Sequence, residues 1–313
     1  MFRKIASISL ILLFLTTSYI HSEKASSPSI LKENPIELMN ITFESNNYTL
    51  YGEIYYPSNQ SETYPGIVFC EGFAGYAEAY NWIPKALAEQ GYVVLFFDFP
   101  GQGRSEGIFG NKSISIPSLN FYLRFSPFFE VVFHYARHEF VQATIDAITY
   151  LTNESPLRNL VNSEKLGLIG HSMGSIVVTA TAAYDTRIDA VVALSQGSIL
   201  YAKNVDVPIQ FQAGCFDITF SIPITYLGYK NANPPKELVT IQYGTHIGFT
   251  AAFGKYCLCP PWQKTLCLRY AIGWFDYFLK NKPEAYENIT HSTDRLSKIY
   301  RSRYNFGDGE HFF

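Results

Sequence analysis

The stretch Gly170-His171-Ser172-Met173-Gly174 stands between two apolar segments of different character. Lys165-Leu166-Gly167-Leu168-Ile169 before it reads as a short strand, and Ser175 to Ala183 after it suits a buried helix. A strand that meets a helix through one residue forces that residue into a strained backbone conformation. Glycines two positions to either side leave room for the turn, so the Ser172 hydroxyl stands exposed at the strand's C-terminal edge. The amides of the following helix aim at the same spot. The pattern is that of a nucleophile elbow.

Candidate partners lie downstream. Val207 to Gly214 reads as a strand, and Asp217 follows it; Glu237 to Tyr243 reads as another, and Gly244-Thr245-His246 follows that. Acid and base thus each sit just past the C-terminal end of a strand, where an open α/β sheet assembles its site. In this arrangement Ser172 attacks a carbonyl and His246 takes and returns the proton. Asp217 holds the imidazole tautomer and stabilises its charged form. Asp189 and Asp206 precede their strands and belong to the opposite edge. His171 is inside the elbow, and His291 and His311 fall in a polar tail.

The chain resembles the α/β-hydrolase superfamily over residues 38 to 281, nearest to the dienelactone hydrolase-like and bacterial cutinase or polyester hydrolase-like branch. The residues that carry the likeness are Gly66 to Gly75, Asp98-Phe99-Pro100-Gly101-Gln102-Gly103-Arg104-Ser105, the elbow, Gly214 with Asp217, and Gly244-Thr245-His246. The order Ser, Asp, His along the chain is also that of α/β-hydrolases. The resemblance implies an α/β fold with a mostly parallel eight-stranded sheet in the order 1-2-4-3-5-6-7-8 and helices on both faces. It also implies an oxyanion hole made of the backbone amides of Phe73 and Met173, donors that meet charge developing in the transition state. Two departures stand out. Glu71 occupies the place before Gly72 where serine-dependent members usually carry His, and Ser195-Gln196-Gly197 replaces the tryptophan that polyester hydrolases carry after the sixth strand. Glu71 is either a resting-state partner of the nucleophile, as the resemblance to dienelactone hydrolases implies, or only an anchor for its own loop.

The start of the chain bears on compartment. Arg3 and Lys4 precede an uncharged run, Ile5 to Ile20, that is shorter than the about 20 residues of a membrane span. The reading is a secretory signal over residues 1–22, with a retained N-terminal anchor as the alternative and membrane contact only in that case. Six N-x-S/T sequons, at Asn40, Asn47, Asn59, Asn111, Asn153 and Asn288, suit an exported glycoprotein. Of five cysteines, Cys70 and Cys215 end strands about 14 Å apart in the family's sheet order, too far to bridge, and are expected as buried thiols. Cys267 is expected to pair with Cys257 or Cys259, with three reduced thiols as the alternative.

An apolar share of 47% with 16% charged residues suits a large core, and the net charge of −3 argues against nucleic acid as a partner. Residues 23–313 read as one catalytic domain with no cofactor and no metal. His134 and His138, at i and i+4, lack the Glu of an H-E-x-x-H arrangement and read as ordinary helix residues. Helices are expected at Glu78–Gln90, Phe140–Leu151 and Trp262–Leu279. Residues 108–138, rich in Phe and Tyr and broken by Pro117 and Pro127, are expected to form a cap or lid over an apolar pocket, or a surface-packed insertion. Residues 284–313 look like a C-terminal appendage. The expectation for the whole is an exported serine hydrolase acting on a small-molecule or lipid-like apolar ester. A peptidase, amidase or acyltransferase on the same residues, and a non-catalytic binding protein of this fold, stand as alternatives.

Overall fold

Val93–Phe97 is apolar at every position, as a strand buried on both faces must be. Its residues divide between two cores: Val93, Leu95 and Phe97 face one, Val94 and Phe96 the other. The computed structural model describes residues 34–73, 75, 77–107, 129–251, 261–292 and 297–302. All of them lie within one compact unit, Glu33–Phe313. The strands are β1 (Ile36–Ser45), β2 (Tyr48–Pro57), β3 (Tyr64–Cys70), β4 (Val93–Phe97), β5 (Val161–His171), β6 (Ala190–Leu194), β7 (Ile209–Gly214), β8 (Lys236–Ile241) and β9 (Ser297–Ser302). They form a single sheet in the order β1-β2-β4-β3-β5-β6-β7-β8-β9. The first eight follow the order expected of the family.

The antiparallel hairpin β1–β2 turns through Asn46 and Asn47, both with positive φ, as a two-residue hairpin turn requires. From β4 through β3, β5, β6 and β7 to β8 every pairing is parallel. Their C-terminal ends therefore share one edge, the edge at which such a sheet builds its site. β9 pairs antiparallel to β8, from Lys236↔Ser302 to Ile241↔Ser297. This ninth strand is a correction to the expected appendage: it covers the backbone groups that β8 would otherwise leave as an open edge.

Helices cover both faces. α1 (Ala77–Tyr80) and α2 (Trp82–Glu89) replace the single helix expected over this stretch, and α3 (Phe129–Thr149) passes into a π-helical turn, Tyr150–Glu154. The remainder are α4 (Met173–Ala182), α5 (Ile222–Asn231), α6 (Pro261–Phe278) and α7 (Tyr286–Thr290). Phe140, Ala143 and Ala147 of α3 and Val177 and Val178 of α4 fill the first core. Leu87 of α2 and Leu266, Tyr270 and Trp274 of α6 fill the second. α3 begins well before the expected Phe140, so residues 129–138 of the expected insertion are helical; residues 108–128 lie outside the described residues. So does the expected signal segment. No described helix is long and apolar enough to cross a membrane.

Two cysteine expectations are corrected. Cys267 sits on the core face of α6 as a free, fully buried thiol, held protonated by burial, and the bridge expected from it is not formed. Cys257 and Cys259 lie outside the described residues. Cys70 is fully buried, its thiol pushed up to about 12 by burial, whereas Cys215 is only half-buried, 3.6 Å from Gln242 Oε1.

Phe211 of β7 links this core to the sheet edge. Its ring fills the space beside Gly197 and Gly228, where a Cβ on either glycine would meet ring atoms at 2.5 Å and 3.2 Å. Phe211→Ala should cost about 3–5 kcal/mol, measured by urea denaturation. A cost near that of an exposed substitution would mean that the Gly197 turn closes the cavity by itself.

Candidate active site

The elbow takes its shape from close packing. Ser172 has φ 56° and ψ −117°, a backbone state that L-residues avoid unless the surroundings enforce it. A Cβ on Gly170 would collide with the carbonyl of Gly174, and one on Gly174 would collide with the carbonyl of Cys70 and lie 2.5 Å from that of Glu71. The first turn of α4 is thus pressed against the end of β3. Ser172 N donates to Leu194 O at 2.9 Å, which fastens the turn to β6.

Ser172 Oγ lies 3.0 Å from His246 Nε2, and His246 Nδ1 lies 2.9 Å from Asp217 Oδ2. The other Asp217 oxygen accepts the amides of Thr219 at 2.9 Å and Phe220 at 2.8 Å. Asp217 is buried, and Ser172 keeps 7% of its surface exposed. A carboxylate facing Nδ1 places the imidazole proton there and leaves Nε2 to accept from the serine hydroxyl. Asp189 and Asp206 instead tie loops far from this row: Asp189 accepts Leu166 N, and Asp206 accepts Asn233 Nδ2.

The His246 loop is clamped by Gln263, a buried residue of α6. Thr245 N donates to Gln263 Oε1 at 3.0 Å, and Gln263 Nε2 donates to Thr245 O at 2.8 Å. Gly248 has no room for a side chain against the same amide. Gln263 carries no motif in the sequence; its position in a closing helix was the only available signal. Ser195, at the end of β6, was also missed: its Oγ donates to Asp217 Oδ2 and lies 2.9 Å from His246 Nδ1.

The loop after β3 carries Phe73, and α4 opens on Met173, whose amide is among the first-turn donors with no intrahelical acceptor. Tyr80 joins this loop to the elbow. Gly72 N donates to Tyr80 Oη at 3.2 Å, and the same hydroxyl lies 2.9 Å from His171 Nδ1. His171 is buried with its ring 4.7 Å from that of His246, centroid to centroid; burial, then the neighbouring imidazole, hold it well below the usual histidine range. It is therefore neutral packing for His246 and no rival base.

Glu71 turns toward the β4 loop. Its Oε1 accepts Phe99 N at 3.0 Å and Gln102 Nε2 at 2.8 Å, the arrangement expected of a loop anchor. Burial, and next the charge of Asp98, push its carboxyl well above the usual range. Asp98 is buried too, accepts Arg104 N at 2.8 Å, and is raised by burial from 3.8 to about 6. Among the described residues no group of three or more His, Cys, Asp or Glu is gathered as for a metal ion. His138 is exposed on α3, and the side chain of His134 lies outside the described residues.

A family profile described as alpha/beta hydrolase fold matches residues 65–214, from β3 through β7. The match and the sheet order together assign the α/β-hydrolase fold to this chain. It is also 30% identical, over 124 residues, to the bis(hydroxyethyl) terephthalate hydrolase of Streptomyces coelicolor, an alignment covering 39% of this chain and 30% of that protein. The chain thus matches less than a third of the relative's length. In this hydrolase-fold protein the matched profile includes the elbow and ends at Gly214, just short of Asp217, so the positions of Asp217 and His246 rest on the geometry above.

A carboxyl that binds its proton more tightly in the fold than in the unfolded chain stabilises at low pH and loses that stabilisation as pH rises. For Asp98 the window runs from 3.8 up to about 6. Buried, neutral His171 works in the opposite sense over part of this range, but it is common to wild type and variant. The melting temperature of the wild type, relative to Asp98→Asn, should therefore fall as the pH is raised across that window. A difference that stays constant would mean that Asp98 titrates in the fold as it does in the unfolded chain.

Proposed function

We propose that the protein is a serine esterase that cleaves apolar carboxylic esters through an acyl-enzyme. The observation that carries the reading is Ser172 Oγ at 3.0 Å from His246 Nε2, at the mouth of a helix, with Asp217 on the far side of the same ring. Ser172 attacks the ester carbonyl while His246 accepts its proton at Nε2, and Asp217 stabilises the imidazolium that results. The amides of Phe73 and Met173 receive the developing oxyanion. His246 then returns the proton to the leaving alkoxide, and water repeats the sequence on the acyl-enzyme. Glu71, bonded to Phe99 and Gln102, fixes the loop that carries Phe73.

The substrate class rests on the apolar surroundings of the catalytic loops and on the ester named for the Streptomyces coelicolor relative. Ile218, beside Asp217, is 89% exposed, and Ile247, beside His246, is 37% exposed. Phe216 and Tyr243, on the same two loops, are exposed and meet ring to ring at 5.6 Å. The proposal includes export as a glycoprotein. Asn40, Asn47, Asn59, Asn153 and Asn288 are all exposed, and Asn111 lies outside the described residues.

Ser172→Ala should lower kcat on p-nitrophenyl esters by about four to six powers of ten, His246→Ala by a similar amount and Asp217→Ala by less, because such residues act as a unit. A Ser172→Ala protein that keeps a tenth of wild-type turnover contradicts the assignment. With a histidine base, kcat/KM should rise with pH through the near-neutral range and then level off; a flat profile with chemistry rate-limiting contradicts it.

A further inference from the structure

We infer that Ser195 is a positioning residue for the Asp217–His246 pair, an inference that rests on the serine esterase reading. β6 lies between β5, which ends in the elbow, and β7, which leads to Asp217. Ser195 therefore leaves the sheet between the proposed nucleophile and the proposed acid. Its Oγ donates to Asp217 Oδ2, the oxygen that also faces His246 Nδ1 at 2.9 Å. With the Thr219 and Phe220 amides on Oδ1, the carboxylate has donors on both oxygens and is fixed in rotation.

The backbone around Ser195 gives an independent observation. Ser195, Gln196 and Gly197 have φ of 65°, 105° and 74°, three successive residues in a region that favours glycine, and two of them are not glycine. Ser195 and Gly197 are held from neighbouring elements. Ser195 N donates to Gln212 O of β7 at 2.7 Å. Ser175 Oγ of α4 donates to Ser195 O at 3.0 Å and accepts Gly197 N at 2.9 Å. Phe211 closes the space beside Gly197. An enforced turn of this kind directs the Ser195 side chain back under Asp217 rather than along the sheet.

Ser195 is not a second nucleophile in this arrangement. It is fully buried, where Ser172 is not, and its hydroxyl faces the ring nitrogen that carries the proton. The titratable groups set against the His246 ring, among the described residues, are Asp217 on the β7 loop and neutral His171 at the end of β5. Ser172, Ser195 and the Phe220 ring complete its surroundings. Removing the Ser195 hydroxyl leaves Asp217 with one donor fewer, so the carboxylate draws the imidazolium more strongly and is less firmly aimed.

The test is steady-state kinetics on a p-nitrophenyl ester for the full chain carrying Ser195→Ala or Ser195→Gly, with Ser172→Ala as the reference. Ser195→Ala should lower kcat about 10- to 100-fold with little change in KM, the size of one charge-assisted hydrogen bond. The acid limb of its kcat/KM profile should move to higher pH. Ser195→Gly, which relieves the backbone but also lacks the hydroxyl, should show the same displacement with melting at least as high as that of Ser195→Ala. Wild-type kcat and an unmoved profile in either folded variant overturn the inference. So does a loss of kcat with the profile unmoved, which a purely structural role would give. If Ser172→Ala stays active while Ser195→Ala does not, the assignment of Ser172 as nucleophile fails and the inference with it, because the nucleophile is then Ser195.

Discussion

One steric constraint orders this molecule: β5 must turn into α4 through Ser172, with the first turn of the helix pressed against the end of β3. Gly170 and Gly174 are glycine because carbonyl groups occupy the places their side chains would take. That contact sets the distance between the loop after β3 and the amides at the start of α4, and it raises the Ser172 hydroxyl above the sheet edge. Parallel pairing through β8 then brings the ends of β6, β7 and β8 to the same edge, and the loops carrying Ser195, Asp217 and His246 follow.

The polar groups behind the edge are arranged to hold loops rather than to carry charge. Glu71 and Asp98, at the ends of adjacent strands β3 and β4, are buried with raised carboxyls and bind the backbone of the β4 loop. Gln263 holds the His246 loop by both ends of its amide. Tyr80 ties Gly72 to His171. The bonds of Glu71 to Phe99 and of Tyr80 to His171 join segments distant in sequence and are buried, where a missing partner would cost most.

The elbow and the strand-end positions of Asp217 and His246 were legible in the sequence because they are local signals: glycine spacing, apolar runs and the residues just after them. The eight-strand order came through the family resemblance carried by those segments. Ser195, Gln263 and Tyr80 gave no such signal, because their roles arise only when β6, α6 and α1 meet the site in three dimensions. β9 was missed for a related reason. Ser297–Ser302 is a mixed polar segment, and the open edge of β8, rather than any strong propensity of its own, makes it a strand. α3 runs back to Phe129 through residues whose many aromatic side chains read as a loop insertion. Cys267 was expected in a bridge from its proximity in sequence to two other cysteines, yet helix periodicity turns it into the core.

The central claim is that Ser172 is the group made nucleophilic by His246. Labelling the intact protein with a fluorophosphonate, followed by proteolysis and mass spectrometry of the modified peptide, tests it most directly. The account predicts one adduct, on Ser172, formed rapidly in the wild type and lost in His246→Ala. An adduct on Ser195, or no adduct on a folded protein, would contradict it.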